Sequence, residues 1–427
     1  MREALALQQS RRFAEAEKIY RGALSLAPEL PDALHMLGVV RYERGDHDEA
    51  AQLILHALDL TNWQYPTYRH NLGLALARCH SAQADEDRAA GRRRVDRWLR
   101  THLRPSPPTQ PRIAVIVPCH NHERYVQRAL ESVFEQTYRE VELVVIDDGS
   151  TDATAAAARQ TLARSPFPYR FLTRENRGAA ATINEGVALS TSPYVNILNS
   201  DDWFREERLA AMVQDVVARG AEWGFSGIEC VDEAGRPIDL ARDERARALA
   251  DLARSATTQR ETNGFAFLTY NAAISSGNIF FSRALYDRIG GFRELRFNHD
   301  WDFCLRAVRV AEPEFSPATT YAYRLHGSNT IHEAGKGGGP READTILNEY
   351  IQWGMSDHVD DYPIAPSLRD WGMYFICVLL GGGIASLLDV ALLRELARPE
   401  PDRPTTAETS YAHRRAHAPR RTSLRRG

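Results

Sequence analysis

A chain of 427 residues exceeds what one hydrophobic core ordinarily organises, so two or three domains are expected. With 43% hydrophobic and 26% charged residues and a formal charge of −4, it has the balance of a globular protein and lacks the basic excess of a nucleic-acid binder. Five cysteines, Cys79, Cys119, Cys230, Cys304 and Cys377, lie scattered without a CxxC pair, which argues against a disulfide framework or zinc ribbon and for reduced thiols in a cytoplasmic protein. The opening MREALALQQSRRF mixes charges into every turn, unlike the apolar run of an export signal.

Residues 1 to about 80 repeat at a spacing of 34: Ala16, Tyr20, Ala23 and Pro28 return as Ala50, Ile54, Ala57 and Asn62, and Leu37-Gly38 returns one residue late as Leu72-Gly73. Small residues at such a period let paired helices pack closely, and the pattern resembles the tetratricopeptide repeat. That resemblance implies a groove for a protein partner. The third repeat lacks a clear second helix, and an Arg-rich helix from about Asp85 to Leu103 is expected to cap the stack, so that residues 1–103 form one helical domain.

The prolines of RPSPPTQP, residues 104–111, make a stiff spacer and a domain boundary. Beyond it, short β-branched runs alternate with helical stretches. IAVIVP precedes a helix near Glu123–Gln136, VELVVIDD one near Asp152–Ala163, YRFLT one near Ala179–Leu189, and YVNIL one near Glu206–Ala218. This rhythm predicts an α/β domain with a mostly parallel sheet and helices on both faces. The charged stretch Asp239–Arg260 reads as an exposed helical insertion, and GKGGGP, residues 335–340, as a mobile loop.

Residues 331–398 are expected to form a C-terminal helical segment. Within it Trp371–Leu388 carries no charge over 18 residues, at the lower limit of a bilayer span. Gly381-Gly382-Gly383 interrupts the run, so a buried helix pair or a membrane-surface hairpin is expected instead. The tail 399–427, with Arg414, Arg415, Arg420, Arg421, Arg425 and Arg426 among Pro, Ser and Thr, reads as disordered. It and residues 371–388 are the two candidates for peripheral contact with the inner face of a membrane.

Chemistry concentrates at strand ends. Asn199-Ser200-Asp201-Asp202 follows SPYVNIL, and Asp147-Asp148-Gly149-Ser150-Thr151-Asp152 follows VELVVI. Strand ends at the carboxyl edge of an open α/β sheet converge on ligands. Paired carboxylates there suit Mg²⁺ or Mn²⁺ holding a diphosphate, while the plainer role is capping of the next helix. The row Cys119-His120-Asn121-His122 offers soft ligands, but adjacent residues seldom converge on one tetrahedral ion, which speaks against zinc.

The succession IAVIVPCHNHERYVQRALESVFEQTY, VELVVIDDGSTD, ENRGAAATINEGV, YVNILNSDDWF, IGGF, HDWDFCLRA and YRLHGSNT makes residues 112 to about 330 resemble an inverting family-2 glycosyltransferase of the GT-A fold. The resemblance implies transfer of a sugar from a nucleotide-diphosphate sugar, with UDP expected, to a saccharide, lipid-linked or protein acceptor in cell-surface polysaccharide or glycoconjugate synthesis. It implies that Pro118 and Asn121 shape the uridine pocket, that Asp147 and Asp148 bind base and ribose, and that Arg177 lies near the diphosphate unless it merely pairs with Glu175. Asp201 and Asp202 match the family's metal motif and are expected to hold Mn²⁺ or Mg²⁺. Position 199, usually Asp, is Asn here and offers ribose or metal only a carbonyl oxygen.

Asp300, in His299-Asp300-Trp301-Asp302, matches the general base, with His299 in place of the family's Glu. Asp302 is read as a helix cap and Trp301 as core. His326, in Tyr323-Arg324-Leu325-His326, is the late-loop candidate for the metal or diphosphate. Inversion follows from one carboxylate base with no evident nucleophile opposite. The competing reading is an inactive transferase-like scaffold that binds a protein through the repeats. A nucleotidyltransferase is disfavoured because CHNHERYVQ has no glycine to cradle a triphosphate. The unifying expectation is that Asp148, Asp201 and Asp300 line one cleft.

Overall fold

The computed structural model describes residues 1–102, 110–258, 261–327, 338–356, 362 and 364–398. Pro105, Pro107 and Pro108 of the expected linker, residues 335–337 of the GKGGGP segment and the basic tail therefore lie outside the described residues, whereas residues 338–340, expected as loop, open a helix, Gly338–Gly354. The chain divides into two compact units, one from Met1–Arg93 with Asn348–Val359 and Pro366 onward, the other from Arg94–Leu347 with Asp360–Ala365.

In the first unit, α1 (Arg2–Gln9), α2 (Phe13–Leu26), α3 (Pro31–Glu43), α4 (His47–Leu60) and α5 (Pro66–Cys79) follow one another through short turns, and α6 (Ser81–His102) begins directly after. Proline opens both α3 and α5, where its missing N–H costs nothing. The repeating positions are the core: Ala16, Tyr20, Ala50, Ile54, Ala57 and Leu72 are fully buried. Gly38 is required by closeness, since a Cβ there would stand 2.6 Å from Ile54 Cγ1. The Arg-rich helix expected from about Asp85 to Leu103 is α6, which starts earlier, at Ser81, and so follows α5 directly as the second helix of the third repeat.

The apolar C-terminal stretch belongs to this same unit. Its helices Met373–Gly381 and Val390–Leu396 lie against α5 and its neighbours: a Cβ on Gly73 would meet Ala385 Cβ at 2.7 Å, and the His80 ring bonds the Leu396 carbonyl at 2.8 Å. Phe375, Ile376, Leu379 and Leu380 are buried. Of the expectations for 371–388, burial describes these residues, which form one helix, Met373–Gly381, and a 3₁₀ turn, Ala385–Leu387, where a helix pair was expected. No helix among the described residues is long and apolar enough to cross a membrane.

The second unit is an eight-stranded mixed sheet of order β3-β2-β1-β4-β7-β6-β8-β5, with β1 (Ile113–Cys119), β2 (Val141–Asp148), β3 (Tyr169–Arg174), β4 (Tyr194–Ile197), β5 (Trp203–Phe204), β6 (Trp223–Val231), β7 (Phe280–Ser282) and β8 (Glu314–Arg324). The first four strands are mutually parallel, β7 is antiparallel to both neighbours, and β6 and β8 are parallel. Both faces are covered, which explains the unbroken apolar runs. Val115 and Val117 join Val126, Ala129 and Leu130 of α7 (Val126–Phe134) in one core cluster. Ile116, on the opposite face by strand alternation, meets Gly186 of α9 (Ala179–Leu189), where a Cβ would stand 2.3 Å away.

Trp203 and Phe204 form β5, paired with Ala322 and Tyr321 of β8, and the helical stretch expected near Glu206–Ala218 runs as α10 (Arg208–Met212) continued by a π turn at Val213–Val217. One local reading changes. The charged insertion contains α11 (Glu244–Thr258), but Ala246, Ala250 and Ala253 are buried, so one face of it is core.

Candidate active site

β1 and β2 run in register to Cys119 opposite Asp147, and β4 pairs β1 on its other side, so the segments after these three strands leave one sheet edge together. Pro118, half-buried, lies opposite Ile146. The loop after β1 turns at Asn121, whose φ of +53° is a left-handed conformation that asparagine tolerates. The Asn121 N–H donates to Ser150 Oγ (2.9 Å) and its Oδ1 accepts from the Thr151 N–H (2.8 Å). Asn121 is thus a clasp between the loops after β1 and β2.

Asp147 and Asp148 have different fates. The Asp148 carboxylate accepts from the backbone N–H of Arg177 (2.8 Å) and Gly178 (2.9 Å) and pairs with the Arg174 guanidinium, so the protein itself takes both oxygens. Against expectation, this carboxylate shapes the turn before α9. Asp147 is 3% exposed, and its Oδ2 accepts from the Ser150 N–H at 3.3 Å, while its Oδ1 is buried without a partner. A buried acceptor without a donor is costly, which leaves Oδ1 as the oxygen poised for a ligand N–H or hydroxyl. Arg177 is 62% exposed, and its ionic neighbour is Glu185 at 3.9 Å, not Glu175.

After β4 the four polar residues separate by role. Asn199 donates to Ser275 Oγ (2.8 Å) and accepts from Ser276 Oγ (2.9 Å), tying β4 to the 275–276 turn. Asp202 is 1% exposed; its Oδ1 accepts from the Arg324 N–H (2.8 Å) and its Oδ2 from the Tyr321 hydroxyl. Burial, then the adjacent Asp201 charge, push its pKa well above the ordinary value. An oxygen pair already spent on two donors and inclined to hold a proton is a buttress, so of the two carboxylates the sequence left open as direct metal ligands, Asp201 is the one with oxygens facing other potential ligands.

Asp201 faces two imidazoles. His326 Nε2 lies 3.0 Å and His122 Nε2 3.8 Å from Asp201 Oδ2. The three potential ligand atoms fall within 4.8 Å of one another, a spacing that fits one cation. Burial opposes ionisation of Asp201, yet His122 and His326 hold its pKa below the ordinary value. Arg324 fixes the backbone here, donating through Nε to the Asp201 carbonyl (2.7 Å) with its guanidinium between the Tyr125 and Trp203 rings at 4.6 and 4.8 Å. A cavity of about 350 Å³ opens beside His122 and His326, lined also by Tyr125, Asp152 and Glu233.

Asp300 stands in the first turn of α13 (His299–Val308), its Oδ1 accepting from the Trp301 N–H at 2.7 Å. Burial raises its pKa, against the lowering influence of His299, two backbone N–H groups and Asn271. Electrostatics link it to the acidic pair: the Tyr323 phenol, raised first by burial, is raised further by Asp202, Asp201 and Asp300. The Cys119 thiol, pushed up to about 12 first by burial, likewise feels both Asp147 and Asp201. Tyr323 thus feels Asp201 and Asp300, and Cys119 feels Asp147 and Asp201, while the Asp148 carboxylate is taken up by its own loop.

Trp301 is core, its Nε1–H donating to the Phe267 carbonyl at 2.8 Å. Asp302, expected to cap, is a buried ion-pair centre for Arg293 and Arg306. Residues absent from the sequence expectation are His122, Tyr321 and Arg174. His122 had a signal in the Cys-His-Asn-His row, but its partners lie 79 and 204 positions further along the chain, at Asp201 and His326.

Residues 114–288 match the glycosyl transferase family 2 model, and residues 33–64, spanning α3 and α4, match a tetratricopeptide repeat model. Over 113 residues the chain is 34% identical to glycosyltransferase GlyA of Streptococcus pneumoniae, covering 26% of this chain and 16% of that protein. Over 130 residues it is 28% identical to the putative teichuronic acid biosynthesis glycosyltransferase TuaG of Bacillus subtilis, covering 30% and 52%. The chain thus spans less than two thirds of the length of either relative. Among solved structures, a mannosyltransferase from Pyrobaculum calidifontis in complex with GDP-Man and Mn²⁺ aligns with a TM-score of 0.44 at 19% identity, over 80% of this chain and 96% of that one. The second unit thus carries a segment that matches glycosyl transferase family 2, in a chain whose N-terminal helices match a tetratricopeptide repeat.

Proposed function

We propose that this chain transfers a sugar from a nucleotide-diphosphate sugar, with UDP-sugar the expected donor, to an acceptor hydroxyl, with inversion and dependence on a divalent cation. The observation that carries the reading is the Asp201 carboxylate set between His326 and His122 just after β4, on the sheet edge where β1 and β2 also end. Asp201 and His326 would hold the cation, which as a Lewis acid offsets the charge of the departing diphosphate. Asp147 Oδ1, buried and without a donor, would accept from the base or ribose. Asp300, with its raised pKa, would take the proton of the attacking hydroxyl. Asn121, Asp148, Asn199, Asp202 and Arg324 would position these groups without touching the donor, and Arg177, exposed and 3.9 Å from Glu185, would leave that neighbour to meet a diphosphate. The description of TuaG supports an acceptor in polysaccharide synthesis, and the repeat supports a protein partner.

The experiment is a panel of nucleotide sugars with Mn²⁺, read first by thermal stabilisation and then by release of the nucleoside diphosphate. One donor should raise the midpoint and be turned over slowly with water as acceptor. If no nucleotide sugar stabilises the protein and none is cleaved, the inactive-scaffold reading replaces this one.

A further inference from the structure

We infer that His122 is a third ligand of the Asp201 and His326 cation site, making it a two-imidazole, one-carboxylate centre that takes a first-row transition ion such as Mn²⁺ in preference to Mg²⁺. The inference deepens the proposed function and rests on it for the role of the cation, but the binding itself requires no donor.

The geometry comes from three separate segments. His122 sits after β1, Asp201 after β4 and His326 after β8. Ligands each about 2.1 Å from one ion lie roughly 3.0 to 3.5 Å apart. The two imidazole Nε2 atoms stand 3.0 and 3.8 Å from the same Asp201 oxygen, so only a small closing movement is needed. The rings of His122 and His326 meet edge to face, with centroids 6.0 Å apart and planes at 89°, an arrangement in which both can present Nε2 to one point.

His122 is also aimed. Its backbone N–H donates to Thr154 Oγ1 (2.7 Å), and its Nδ1 bonds Ser200 Oγ (2.8 Å), leaving Nε2 toward Asp201. A ligating histidine ordinarily has its second nitrogen held by a hydrogen bond, which orients the ring. The neighbours do not compete: the His120 ring bonds the Asp148 carbonyl (2.9 Å) and faces Asn176, and Cys119 is buried. The choice of ion follows from the donor set. Mg²⁺ favours oxygen ligands and gives up water reluctantly, whereas imidazole suits later divalent ions. Three protein ligands leave positions for diphosphate oxygens.

The test uses the full chain without nucleotide. Electron spin resonance of added Mn²⁺ should show tight binding that a 100-fold excess of Mg²⁺ does not displace, with pulsed detection reporting two coordinated imidazole nitrogens. His122→Asn, whose amide can keep the Ser200 contact while withdrawing Nε2, should lower Mn²⁺ affinity by at least about tenfold and leave one nitrogen. A midpoint unchanged in the absence of metal shows that the variant folds, and His122→Ala provides a second variant. One nitrogen in the parent protein, unchanged affinity in a folded variant, or equal competition by Mg²⁺ overturns the inference. Metal binding as described with no response to any nucleotide sugar would instead count against the transferase reading alone.

Discussion

Asp300→Asn isolates the proposed base from everything that supports it. The substitution keeps the side-chain shape, and the remaining carbonyl can still accept the Trp301 N–H now held at 2.7 Å, so α13 should start as before. What is lost is the basic oxygen. A positioned general base contributes about 10²- to 10⁴-fold in rate, or roughly 3 to 5 kcal/mol of barrier. Because Asp147 and Asp201 stand on other loops, the donor dissociation constant should stay within about twofold. The pH profile gives a second readout. The ordinary carboxyl value is 3.8, and burial raises that of Asp300; the base must be ionised, so activity should fall as pH drops through this raised value. The acid limb of kcat/KM then lies above 3.8 in the parent and is absent from the residual activity of the variant. Release of nucleoside diphosphate measures the rate, and calorimetry the donor affinity. An Asn variant within tenfold of the parent rate, or one whose donor affinity falls as much as its turnover, refutes the assignment.

Separating Asp201 from Asp202 is equally direct: Asp201→Asn should abolish Mn²⁺ binding, whereas Asp202→Asn, which sets an NH₂ group against the donors of Tyr321 or Arg324, should cost about 1 to 3 kcal/mol of stability and leave Mn²⁺ bound. Calorimetry and thermal melts check both. Glu312 is pushed by burial from an ordinary 4.5 up to about 8, with Oε2 lacking a partner. The folded state therefore keeps this proton to higher pH than the unfolded chain, and stability is lost as pH rises from 4.5 to about 8, by at most roughly 5 kcal/mol. Glu312→Gln should flatten that decline in melting temperature; parallel declines in both proteins would contradict it. Gly186→Ala, despite alanine's better helix propensity, should destabilise by about 1 to 3 kcal/mol because the new methyl falls 2.3 Å from Ile116 Cγ2. A melting temperature that holds or rises would refute the close packing of α9 on β1.

Some of this was written locally. IAVIVP and VELVVI are strands covered on both faces because runs of β-branched residues can satisfy few other environments, and α9 occupies the residues expected of it. The spacing of 34 returned as packed helices because the recurring small residues are buried where neighbouring helices meet, as Gly38 meets Ile54. The uncharged stretch 371–388 was ambiguous for a physical reason: apolar composition demands burial but does not name the cover. The cover is α5 and its neighbours, some 300 positions earlier.

The alternation of strands and helices, the sheet edge at which the acidic clusters emerge, and Asp201 and Asp300 as candidates are legible along the chain, because they depend on short-range sterics and hydrophobic period. The choice between adjacent residues came from contacts distant in sequence. Asp202 is withdrawn because Tyr321 and the Arg324 N–H arrive from β8, and Asp148 because the turn at Arg177 and Gly178 folds back onto it. His122 enters because β1, β4 and β8 bring their ends to one place. Which oxygen is spent on the protein and which remains for a ligand depends on donors distant in the chain, and no local pattern records them.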